Sequence, residues 1–120
     1  MGHILSWLSL IAVLHRPPDM AGKATYYHDR YHGRLTRSET IFNQNRLTAA
    51  VDDGMWPALR DKKLLVCTQS KCVIVRADDT GYLANCGIVV DLSKRAFREL
   101  APVDQGIVKV KVWIMEERWH

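Results

Sequence analysis

The chain has 120 residues and a mass of 13.7 kDa, the size of one domain, and its 48% hydrophobic residues exclude disorder over most of its length. A formal charge of +4 favours anionic partners such as cell-wall polymers, acidic membranes or nucleic acid, but the lysines and arginines are scattered. No basic run marks a nucleic-acid arm, so a solvated basic surface is the plainer reading and no nucleic-acid partner is expected.

The first element is the apolar run ILSWLSLIAVL, Ile4 to Leu14, long enough for the core of an export signal and too short to span a bilayer as a helix. No Lys or Arg precedes it, and the HRPPDMAGKA that follows offers no small-x-small cleavage site. It reads either as an export signal or its remnant, or as an apolar arm packed on the domain. Pro17 and Pro18 would break a helix there. The expected division is a segment and linker over 1–22, a domain over 23–115 and a tail over 116–120.

Short strands follow. KATYYH (Lys23–His28) is rich in Thr and Tyr, and RLTAAV (Arg46–Val51) is a weaker strand. DDGMWPALRDKK, from Asp52 to Lys63, is the longest polar insertion. KLLVCT and CVIVRAD flank a polar turn and read as a hairpin in which Cys67 faces Cys72, so a disulfide is geometrically plausible. Cys86 is then left over, either buried or reactive, and the three cysteines lack the paired short spacings of common zinc modules.

GIVVDLS (Gly87–Ser93) is a continuous apolar run ending at Asp91, as for a strand buried on both faces. Ser93 is a natural N-cap for KRAFREL, whose Ala96, Phe97 and Leu100 share an apolar face. In IVKVKVWIM, Val108, Val110, Val112 and Ile114 alternate with Lys109, Lys111 and Trp113, the period of a half-exposed strand. The result is a mainly β fold: a small six-stranded closed barrel with one short helix, closure removing the edges that short strands would expose.

With these elements in place, ATYYHDRYHGRLTRSETIFNQNRLTAA, VIVRADDTGYL and VVDLSKRAFRELAPVDQGIVKVKV together resemble the rare lipoprotein A family of double-psi β-barrels. The resemblance runs from about Lys23 to Val112. It implies a secreted, periplasmic or cell-envelope protein that cleaves the glycan strands of peptidoglycan as a lytic transglycosylase. The barrel is similar also to those of expansins and barwin-like proteins, which loosen or bind wall polysaccharide, so fold alone does not choose between cutting and binding.

Cleaving a glycosidic bond requires an acid for the leaving oxygen and a group that steadies the oxocarbenium-like centre. The family's Asp before an Arg-Gly turn matches Asp79, at the end of VIVRADD, where an apolar surround would disfavour the ionised form as a general acid needs. Asp78 is the alternate, facing solvent by strand alternation. The family's Ser-Gly-Glu is Ser38-Glu39-Thr40 here, so Thr40 occupies the Glu position and Glu39, the candidate assistant, the Gly position. The family's Thr-Ala-Ala-His ends in Val51, and the Arg after the catalytic Asp is Thr80.

Thr25 and Tyr27 on the first strand, with Tyr31, Asp78 and Tyr82, are candidate sugar contacts, and Tyr26 and Trp56 are further aromatic faces. Asp91 reads as structural, holding loop N–H groups beside the Ser93 cap. His28 and His32 have helical metal-pair spacing, but on a strand end and loop without a third ligand, so no metal and no cofactor are expected. The expected partner is peptidoglycan or another wall polysaccharide, with membrane contact only through the N-terminal segment if retained, and the chain is expected to be a monomer. Three functions stay open: a glycan-cleaving enzyme with Asp79 as acid/base and Glu39 assisting, a wall-binding or wall-loosening module, and a protein-binding or inhibitor barrel.

Overall fold

The computed structural model describes Leu10, Val13 and residues 15–115. The expected tail, 116–120, and most of the apolar N-terminal run lie outside the described residues. Six strands, β1 (Met20–Tyr26), β2 (Thr48–Asp52), β3 (Lys63–Cys67), β4 (Cys72–Gly81), β5 (Ile88–Leu92) and β6 (Val108–Met115), close into a barrel in the order β1–β5–β2–β4–β3–β6. The β1–β5 and β2–β4 pairs are parallel and the rest antiparallel, so every strand has a neighbour on both sides.

Inward side chains of all six strands meet in the main core, where Val51, Leu64, Val66, Val75, Val90, Leu92 and Val112 are sealed from solvent. One helix, α1 (Lys94–Leu100), closes this core with Ala96, Phe97 and Leu100. The Ser93 hydroxyl accepts the Ala96 N–H at 3.2 Å and donates to the carbonyl of Arg46, tying the helix start to the strand β2 approach. Pro102 stops the helix by forcing the residue before it out of the helical region.

Three departures from the expected elements have physical causes. The first strand begins at Met20, because pairing with β6 recruits Ala21 and Gly22 despite their weak strand preference. The insertion after β2 is not simply polar, since Leu59 is buried and Met55 and Trp56 pack against the main core.

The third departure concerns Trp113. It sits on the outer face with the lysines, yet is buried in a second cluster with Leu65, Cys67 and Met115, against which Leu10, Val13 and Ile74 pack. Its indole N–H donates to the Arg16 carbonyl at 2.9 Å. Cys67 and Cys72, paired in register across β3 and β4, are joined by a disulfide.

Candidate functional site

Two bulges decide where the polar side chains stand. Between β2 and β4, Ala49 pairs with Ala77 but Ala50 pairs with Asp79, which leaves Asp78 as an extra residue. Between β1 and β5, Lys23 pairs with Ile88 but Ala24 with Val90, which leaves Val89 over. Asp91 then falls opposite Thr25 on one side and opposite Ala50 on the other. Thr25, Asp91, Ala50 and Asp79 therefore form one row across β1, β5, β2 and β4.

Residues paired in register share a face, and the flanking Ala24, Ala49, Val51, Val90 and Leu92 all belong to the main core. The row thus stands on the outer wall of the barrel. Two strand spacings separate the Asp79 and Asp91 backbones by roughly 10 Å, and Ala50 between them is buried under the Tyr27 and Phe42 rings.

The loop between β1 and β2 folds over this row. Gly33, at φ +85, and Phe42 begin a small hairpin in which Leu35 bridges Ile41. Phe42 is buried and stacks on Tyr27 at 4.4 Å, and Tyr31 meets Tyr27 edge-on at 5.7 Å. The hairpin is strapped to β4: Ser38 donates its N–H to the Asp78 carbonyl and its hydroxyl to Asp61, which also pairs with Arg76 at 2.7 Å.

Asp79 accepts three hydrogen bonds, from the Tyr27 hydroxyl at 2.6 Å and from the N–H groups of Arg37 and Thr80 at 2.9 Å each. Burial, reinforced by the hydrogen bond to Asp79 and its charge, pushes the Tyr27 hydroxyl far above the ordinary phenol range, so it is a permanent donor. Asp91 accepts from the Thr25 hydroxyl at 3.0 Å, and its carboxyl is pushed up to about 6 by burial, with the Asp79 charge adding to the shift. Asp78 is likewise pushed up to about 6, by burial first and then by Asp79.

The expectation that Asp78 faces solvent is overturned: it is 6% exposed, because the bulge interrupts the alternation that would have turned it outward. Tyr27 is buried beneath Phe42 and Tyr31 and offers no ring face to a sugar; it positions Asp79 instead. Tyr31 is half-buried, while Tyr82 is 85% exposed on the turn that follows β4. Tyr26 packs on Phe97 and Trp56 on the core, away from the row.

Glu39 lies in the left-handed region at φ +65, where the family pattern has glycine, and its exposed carboxylate makes no hydrogen bond to another described residue. Thr40, at the family's Glu position, binds the Thr36 hydroxyl at 2.8 Å within the hairpin, and Val51, at the His position, is core. His28 and His32 each accept a backbone N–H at Nδ1, from Arg30 and Gln44, and so brace the loop.

Reading the sequence missed Ala50 and Asp91 as members of one site. Asp91 lies one residue from the end of β5 and Ala50 at the middle of β2, and neither bulge has a sequence mark.

These carboxyls make stability depend on pH. Asp78 and Asp91 hold their proton more tightly in the folded chain than at the ordinary 3.8, so their contribution is fully present below that value and is lost as pH rises through about 6. Asp52 behaves oppositely: N–H groups of Ala84, Gly54 and Leu83 lower it, so its stabilisation is lost as pH falls. Urea midpoints are expected to peak near the ordinary carboxyl value, about pH 4, and stability to fall by about 1–2 kcal/mol as pH rises from there through about 6, after discounting for partial exposure. Asp91→Asn is expected to flatten the alkaline limb, and an unchanged limb would show that Asp91 is not the proton holder.

Residues 19–112 match the Lytic transglycolase family. The chain is similar to the endolytic peptidoglycan transglycosylase RlpA of Pasteurella multocida, 33% identical over 79% of this chain and 31% of that protein. It is also similar to the protein of the same name from Rickettsia bellii, 35% identical over 76% of this chain and 40% of that one. The chain thus spans roughly a third of the length of these relatives. Among solved structures, the Streptomyces papain inhibitor aligns with a TM-score of 0.69 at 25% identity over 83% of this chain and 98% of that one. An expansin of Clavibacter michiganensis, solved with cellohexaose, aligns with a TM-score of 0.67 at 21% identity over 83% of this chain and 52% of that one.

Proposed function

Because the chain belongs to the Lytic transglycolase family of double-psi β-barrels, we propose that it cleaves the glycan strands of peptidoglycan in the cell envelope, at the row that joins Asp91 to Asp79. The observation that carries this reading is the pairing of both aspartates with Ala50, which brings two carboxyls with different surroundings into one row beside the buried Tyr27–Phe42–Ala50 cluster.

Asp91, held as the acid up to about pH 6, donates its proton to the leaving glycosidic oxygen as the C1–O bond breaks. A hydroxyl of the same sugar then forms the new bond to C1 and returns its proton to the Asp91 carboxylate. No water is consumed, and the product ends in an anhydro ring. Asp79, held by Tyr27 and two backbone N–H groups, presents a fixed negative charge to the cationic centre. In this proposal Asp79 stabilises charge rather than moving the proton, and Glu39 has no part. The Cys67–Cys72 disulfide suits an oxidising compartment outside the cytoplasm.

Binding without cleavage is the second reading, favoured by Thr40, Val51 and Thr80 standing where the family pattern has Glu, His and Arg. The two are separated by incubating the protein with purified peptidoglycan, both intact and stripped of stem peptides, and analysing soluble products by mass spectrometry. Anhydro-ended sugars are the expected result. Hydrated ends would indicate hydrolysis, and co-sedimentation with the wall without products would establish the binding module.

A further inference from the structure

The hairpin loop carries charge that the chemistry above does not use. Between Asp29 and Arg46 it holds Arg30, Arg34, Arg37 and Arg46, against the acids Asp29 and Glu39. Asp29 is already paired with Lys94 at 3.1 Å. The Arg30 guanidinium lies 5.0 Å and that of Arg34 5.7 Å from the centre of the Tyr31 ring. Arg30 also donates to the Tyr31 hydroxyl at 3.2 Å. Both arginines are exposed, and neither has a carboxylate partner among the described residues.

Stacking on an aromatic ring fixes a guanidinium while leaving N–H groups free at its edge, the arrangement that accepts a carboxylate. Tyr31 in turn abuts Tyr27, whose hydroxyl holds Asp79, so the arginine pair stands beside the row. The row carries Asp79 and Asp91, with Asp78 on the bulge beside it, and above about pH 6 these carboxyls would repel an anionic ligand approaching unaided.

From this we infer that Arg30 and Arg34 form a subsite for a carboxylate borne by the glycan, so that the site selects acidic over neutral polysaccharide. The inference rests on the glycan-directed reading above. The carboxylate belongs either to the sugar, as an ether-linked acid or a uronic acid, or to a peptide attached to it.

The test is calorimetric titration of the full chain with soluble oligosaccharides of equal length in four forms. These are peptide-free with free sugar carboxyls, peptide-bearing with its own carboxyls free but the sugar carboxyls amidated, fully amidated, and a neutral N-acetylglucosamine oligomer. Wild type is expected to bind at least one acidic form about tenfold more tightly than the amidated and neutral forms. Which acidic form binds identifies the source of the carboxylate. Arg30→Gln/Arg34→Gln is expected to erase that preference while leaving affinity for the neutral oligomer in place.

Lys109→Gln/Lys111→Gln removes two exposed charges from β6 and is expected to keep the preference. Equal wild-type binding to acidic and amidated forms would overturn the inference and leave the glycan reading standing. So would a loss in the lysine variant matching that in the arginine variant, which would show unspecific charge attraction. Binding to none of the four would overturn both.

Discussion

Replacing Asp91 by Asn is expected to lower glycan cleavage about 10³-fold, the usual scale for removal of a general acid. The amide keeps the shape and still accepts the Thr25 hydroxyl hydrogen that now goes to Oδ1, so the fold should survive. Asp79→Asn is expected to cost about 10²–10³-fold by a different route, loss of the charge facing the cationic centre.

The pH profile separates the two roles. Wild-type activity should fall as pH rises through about 6, where Asp91 loses its proton, and Asp79→Asn should move that fall downward by removing the charge that helps hold the proton. Initial rates of anhydro-sugar release across pH 4–8, at roughly half-unit steps, provide the measurement. A cleaving Asp91→Asn with an inactive Asp79→Asn would return the acid role to Asp79. Near-wild-type activity in both would place the chemistry elsewhere.

The largest effect on stability is expected from Phe97→Ala, at about 3–5 kcal/mol, a sizeable part of what holds any domain of this size together. Phe97 has no exposed surface and packs under the Tyr26 ring at 4.9 Å. A helix of seven residues has no stability of its own, so α1 depends on the side chains it buries and on the Ser93 cap. Truncating Phe97 leaves a cavity where the helix meets the barrel and loosens the end of β1 that leads into the site. Urea unfolding followed by tryptophan fluorescence measures it; a loss below about 1 kcal/mol would mean that the neighbouring side chains collapse into the space.

The framework was legible where local rules decide. Alternation through Val108, Val110 and Val112 located β6, the β-branched hairpin located β3 and β4, and Ser93 ahead of Ala96, Phe97 and Leu100 located the helix. The site was less legible because pairing between distant strands assembles it. Period-two counting sends Asp78 outward, and only the β2 register reveals that one residue is extra. Asp91 looked like a loop fastener because its partner row, Ala50 and Asp79, lies across two other strands. Trp113 fits its alternation, but the cover that buries it comes from Leu10 and Val13, about a hundred positions away in the chain.

The extra residue in β4 also gives the row a form of redundancy against deletion. Asp78 and Asp79 are identical side chains at adjacent positions, and only the bulge selects which of them stands opposite Ala50. Were either one deleted, plain pairing after Ala77 would still bring an aspartate to that place. The charge in the row therefore tolerates a one-residue drift of register that would empty most sites built on a strand. What such a deletion would disturb is the fastening of the overlying loop, since the Ser38 N–H bonds to the carbonyl of Asp78 and the Arg37 N–H to the carboxylate of Asp79.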